Sequence, residues 1–194
     1  IGYMIMGLAL FTPLAIAGSI FYIIHHILVK TNLFLISGIV KITNGHYALS
    51  KLGGVYDRFP FVTVLFAISA FSLAGIPPLS GFWGKFILAK AGLESGAYVI
   101  VAVSLLVGLL TLFSMSKIWV SVFWSAGPGT KSNPPQYDSP TLFRRYYCLL
   151  LASVFLTLCT LGISFYPDFL ISFSEQAAEQ LLNPQEYINA VLNP

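Results

Sequence analysis

Charge is what this chain lacks. Of its 194 residues only 9% are charged, whereas 57% are hydrophobic and the mean hydropathy is +0.82. Soluble domains carry about 25% charged residues, so the composition excludes an ordinary globular fold. Basic clusters are missing too: the net charge is +3, with no dense Lys/Arg footprint of a nucleic-acid binder. Neither a GxGxxG turn nor a cysteine cluster offers a seat for a dinucleotide or an iron–sulfur centre, and no cofactor is implied. Cys148 and Cys159 are the two cysteines. On one helix they stand about 16 Å apart at 1.5 Å per residue, too far for a disulfide.

A signal-peptide pattern is also absent. The chain opens at Ile1, inside IGYMIMGLALF, just ahead of Thr12-Pro13. That stretch falls short of the roughly 20 residues that cross a bilayer. The expectation is that residues 1–11 end a truncated membrane helix and that the chain is the C-terminal portion of a longer protein.

What is present is a series of long apolar blocks, which predict an all-α, polytopic membrane helix bundle surrounded by lipid. Pro13 suits a first helical turn, and the run it opens continues to about Thr43. Residues 44–60 are a polar connection with Gly53, Gly54 and Pro60 as breakers. Residues 61–76 are apolar and lead into AGIPPLSG. There Pro77 and Pro78 must interrupt any helix, and residues 79–92 resume it. Residues 98–124 form a span closed by WVSVFW, aromatic in the manner of membrane interfaces. Membrane helices thus occupy 12–125, with a broken helix near 75–84. Residues 126–142 read as a loop, 143–173 as the last membrane helix opened by Arg144-Arg145, and 174–194 as a polar C-terminal tail.

Lys41, Lys51 and Arg58 mark one connection, and Lys131, Arg144 and Arg145 another. The positive-inside tendency sets both on the cytoplasmic side, which requires an even number of crossings between them. That parity favours one broken crossing over 61–92, where two short helices would give the opposite.

Inside the apolar blocks stand His25, His26, Lys30, Lys85 and Lys117, with Lys90 nearer an end and no carboxylate among them. A lysine at mid-bilayer costs roughly 2.5–3.5 kcal/mol, so such residues face protein or water and mark ion pathways. His26 and Lys30, four apart, share a helix face, while His25 points about 100° away. A lysine buried without an acid is disposed to release its proton, and a histidine one turn away can donate or accept it. The plainer reading is snorkelling to a headgroup, which suits Lys90 best and weighs evenly for Lys117. In GIPPLSGFWGKF, Gly81 and Gly84 permit close approach beside the proline pair. Broken membrane helices expose backbone groups that only protein or water can meet, and they recur at transporter ion sites. Lys85 beside such a break is a strong combination, and Lys30, near the middle of its run, is the other.

HHILVKTNLFLISG, SLAGIPPLSGFWGKFIL and LLTLFSMSKIWVSVFW together resemble the antiporter-like proton-translocating subunits. These are shared by multisubunit Mrp-type Na⁺/H⁺ antiporters and the membrane arm of respiratory complex I. The likeness extends to AAEQLLNPQEYINAVL at the end and is greatest to the branch formed by the Mrp D subunits. The resemblance implies a non-enzymatic transporter subunit, multi-pass in a prokaryotic inner (plasma) membrane, with other antiporter subunits as partners and H⁺ and Na⁺ as cargo. It implies that the chain supplies most of the second of two inverted repeats, each with a broken helix. Lys30 matches the family's central lysine, His26 the histidine one turn before it, and Lys85 the terminal residue of the proton path. Lys117 matches no assigned family residue, and the Glu–Lys pair of the first repeat has no counterpart here.

Competing readings are a homologous pumping subunit of an NADH–quinone oxidoreductase or membrane hydrogenase complex, a haem protein using His25 or His26, and a non-transporting scaffold. The haem reading needs a facing histidine, and the remaining one, His46, lies in a polar connection.

Overall fold

A computed structural model describes residues 1–125, 144 and 146–192. The expected loop 126–142 lies outside the described residues, as do Phe143 and Arg145. Helices and turns account for the elements, and among the described residues there is no strand. In chain order they are α1 (Gly2–Leu10), α2 (Pro13–Asn44), a 3₁₀ turn (Leu49–Lys51), α3 (Val55–Arg58), α4 (Pro60–Ala74), α5 (Ser80–Glu94) and α6 (Tyr98–Trp119). A π turn (Val120–Trp124), α7 (Tyr147–Phe165), α8 (Pro167–Leu182) and α9 (Gln185–Leu192) complete the set. Among the described residues three segments are long and apolar enough to cross a membrane: Pro13–Asn44, Tyr98–Trp124 and Tyr147–Phe165.

The bundle is organised on α2. Thr12, in extended backbone, caps it by accepting the Ala15 N–H at 3.2 Å, and Pro13 fills the first position. At the other end Gly45 turns left-handed at φ 78° and bonds back to the Lys41 carbonyl. Its 32 residues rise about 48 Å, more than the roughly 30 Å hydrocarbon core, so the helix tilts or projects. Helices α1, α4, α5, α7 and α8 all pack on it. The main core joins Ile36, Ile39 and Val40 of α2 to Val62 and Phe66 of α4 and to Phe123 of the π turn.

Apolar packing alone gives helices little reason to associate in lipid, so polar contacts matter between them. Asn32, fully buried, joins three helices. Its Nδ2 donates to Ser69 Oγ of α4 and to Thr157 Oγ1 of α7, both at 2.8 Å. Its Oδ1 accepts from Ser153 Oγ of α7 at 2.5 Å.

The interruption at the proline pair is a real gap between two fifteen-residue helices. Helix α4 stops at Ala74 because Gly75 takes φ 88°, a conformation open to glycine. The Ile76 N–H then bonds the Phe71 carbonyl at 3.1 Å and the Gly75 N–H the Ser72 carbonyl at 3.0 Å, the Schellman pattern. Pro77-Pro78 turns the chain, and α5 begins at Ser80. Gly81 lets the two halves meet: a Cβ there would overlap the Ser72 carbonyl. Gly84 lies against the rings of Phe21 and Tyr22.

One boundary differs from the sequence expectation. The final apolar run does not continue to 173 as one helix but breaks at Tyr166 (φ −126°, ψ 62°). Pro167 keeps its predecessor out of helical backbone. Helix α8 then buries Leu170, Ser174 and Ala178, with Ala178 packed beside Ile16 and Ala17 of α2, while Asp168, Glu175 and Glu179 stay exposed.

Candidate functional site

Lys85 lies in the second turn of α5 and reaches back across the gap. Its Nζ donates to the Ala74 carbonyl at 2.6 Å and to the Leu73 carbonyl at 3.1 Å, and it sits 5.1 Å from the centre of the Tyr3 ring. The carbonyls at a helix C-terminus lack intrahelical partners and carry the negative end of the helix dipole. The Schellman bonds occupy Phe71 and Ser72, leaving Leu73 and Ala74 for the amine. The acid missing from the sequence is thus replaced by backbone oxygen that the break itself releases. A carboxylate serves Lys90 instead: Glu94 lies 3.8 Å away on the exposed surface.

His26 and Lys30 do share a face of α2. Both line a cavity of about 640 Å³ bounded also by α1 and α6, with Tyr3, Tyr22, Leu73 and Ser104 in its wall. Tyr3 fixes that wall, since its hydroxyl donates to the Ser104 carbonyl and its ring packs at a tilt on that of Tyr22, with centroids 5.1 Å apart. The cavity therefore touches the surroundings of Lys85 twice, at Tyr3 and at Leu73. His26 is half-buried and Lys30 exposed on this side. Lys30 also lines a second, mostly apolar cavity of about 300 Å³ that His46 and Tyr47 close from the polar connection.

His25 goes elsewhere. It is fully buried and lines neither cavity. Its Nδ1 is 2.8 Å from Ser80 Oγ, which is 2.8 Å from Ser72 Oγ. Its Nε2 has no hydrogen-bond partner. The structure brings Lys30 and His26 to one cavity, with Lys85 behind its wall at Tyr3 and Leu73, and does not bring Lys117 there; that residue is exposed in the last turn of α6. His46 is exposed and faces the smaller cavity, so it offers no opposite ligand to the histidine pair. Among the described residues no three His, Cys, Asp or Glu side chains cluster to hold a metal.

Sequence reasoning missed Tyr3, Tyr22, Ser72 and Ser80. The serines were within reach: one stands on each flank of the proline pair, where freed backbone and a neighbouring histidine need hydroxyls.

The family described as NADH:quinone oxidoreductase/Mrp antiporter, transmembrane, matches residues 1–111. The chain is 44% identical over 192 residues to the Na(+)/H(+) antiporter D subunit of Alkalihalophilus pseudofirmus, covering 99% of this chain and 37% of that protein. Against the Na(+)/H(+) antiporter D subunit of Bacillus subtilis it is 40% identical over 195 residues, again 99% and 37%. In the solved structure of the Mrp complex from Dietzia sp., one chain matches with a TM-score of 0.84 at 32% identity, covering 98% of this chain and 42% of that one. The chain spans less than half the length of these relatives.

Proposed function

The chain belongs to the NADH:quinone oxidoreductase/Mrp antiporter family, and from that membership we propose that it is the proton-carrying C-terminal portion of an antiporter D subunit. In this reading it supplies most of the second inverted repeat and works inside a multisubunit cation/proton antiporter of a bacterial plasma membrane. Protons pass among Lys30, His26, water in the larger cavity and Lys85, and Na⁺ moves in exchange through the assembled complex. The transporter performs no covalent chemistry.

The observation that carries the reading is the pair of carbonyls holding Lys85. An ammonium has three N–H groups, and two are taken by Ala74 and Leu73. The third is free for a neighbour. After proton loss the amine retains two N–H groups and gains a lone pair, so both carbonyl bonds survive each state. The carrier stays in place while its charge changes. Tyr3 and Leu73, shared between this grip and the cavity of His26 and Lys30, give the proton a short aqueous route between the two amines.

The test is Lys85→Ala in the full-length complex, with transport driven by a pH difference measured in vesicles. Loss of transport in an assembled complex is expected. Undiminished transport with normal assembly would refute the assignment.

A further inference from the structure

Two adjacent histidines suggest two equivalent carriers, yet their surroundings differ in kind. A carrier needs one face to receive a proton and another to pass it on. His26 borders the larger cavity with Lys30. His25 is sealed: one ring nitrogen is taken by a hydroxyl, and the other meets backbone, since a Cβ added to Gly81 would lie 2.9 Å from Nε2.

The hydroxyl chain also has a direction. If Ser80 donated to Nδ1, the ring's N–H would sit on Nε2, leaving a donor buried without a partner. Orphaned N–H groups are rarer in proteins than under-used acceptors. The neutral ring therefore carries its hydrogen on Nδ1 and donates to Ser80 Oγ, which in turn shares a hydrogen bond with Ser72 Oγ. Ser80 is the first residue of α5 and Ser72 lies in the last turn of α4, and both are fully buried. One imidazole on the unbroken helix α2 thus ties together both sides of the gap. The second link across the same gap is Lys85, five residues after Ser80, reaching the two residues that follow Ser72.

We propose that His25 is a positioning residue and not a proton carrier: with Ser80 and Ser72 it forms a strut that holds the two half-helices at the separation Lys85 needs to reach the Leu73 and Ala74 carbonyls. This rests on the reading of Lys85 as a carrier given above.

Asparagine separates strut from carrier, because its Nδ2 overlays the ring Nδ1 and donates the same hydrogen bond but takes up no proton at neutral pH. In the full-length complex, His25→Ala and Ser80→Ala are each expected to lower vesicle transport on the order of tenfold, the consequence of losing a buried hydrogen bond. The double variant H25A/S80A is expected to fall no further than the worse single one, since both break the same strut. His25→Asn is expected to restore transport to within about threefold of the parent, the scale of a kept hydrogen bond in slightly altered packing. Co-purification of the partner subunits reports assembly. An Asn variant that assembles but transports no better than His25→Ala would overturn the strut and make His25 a carrier. Failure of the Asn variant to assemble would also count against it, since the strut is then intact in principle. If Lys85→Ala still transports, the reading of the site has failed, and the strut result stands apart from it.

Discussion

Helix α2 meets its neighbours through two polar junctions that use the same parts and finish differently. At Asn32 a planar amide engages hydroxyls from α4 and α7, and both ends of the amide are satisfied. At His25, two turns away, a planar ring engages the Ser80 hydroxyl of one half-helix and, through it, the Ser72 hydroxyl of the other, but one nitrogen is left over and a lysine amine stands nearby with a spare N–H. The first junction borders neither cavity, while the second adjoins the larger one through Tyr22 and Leu73. A saturated network fixes helices in place. The second junction holds its helices through the sealed His25 just as firmly, and its spare N–H belongs to Lys85.

The comparison can be pressed hardest at Gly81. Gly81→Ala forces a methyl into the Ser72 carbonyl, overpacking that costs about 1–3 kcal/mol where the neighbour is backbone. Vesicle transport should fall by at least about tenfold if that strain goes into separating the half-helices, while the complex still assembles. Retained transport would mean that the gap tolerates a different width.

Asn32→Ala probes the other junction. Interhelical hydrogen bonds in membranes average about 0.6 kcal/mol, so losing three should cost roughly 2 kcal/mol. The cost is limited because Ser69 and Thr157 also bond their own helix carbonyls, Leu65 and Ser153. Thermal denaturation of the purified complex should show reduced stability, with transport per assembled complex unchanged. A transport defect without a stability defect would erase the distinction between the junctions. The smallest effect is expected from Lys117→Ala, which belongs to neither junction and should alter transport by less than about twofold, as for an isolated exposed charge.

Much of the fold was legible because its signals are blunt. The runs from Pro13 and from Tyr98 are too apolar and too long for anything but spans, and Pro77-Pro78 cannot lie inside a helix. The turn at Tyr166 was hidden because α8 keeps enough Phe, Leu and Ile to look like more of the same crossing, although Pro167 was in plain view. At the site, Lys85 stood out as a cation in hydrocarbon. Its partners did not, since a backbone carbonyl is written in sequence as nothing more than Leu73 or Ala74. Periodicity separated His25 from His26 by 100° but could not tell which direction held a cavity, because that depends on Tyr3 and on α6, far along the chain. Asn32, Ser72 and Ser80 were single polar letters in apolar text, and their meaning appears only when three helices are brought together.

Helix α2 runs without a joint through His25, His26, Lys30 and Asn32, a rise of about 10 Å at 1.5 Å per residue. Those four groups are mounted like graduations on one stiff ruler, and their mutual spacing is not adjustable. In the proposed transport cycle any stroke comes from the hinged neighbour sliding past the scale, so labels that track distance should register motion between α5 and α2 and none along α2 itself.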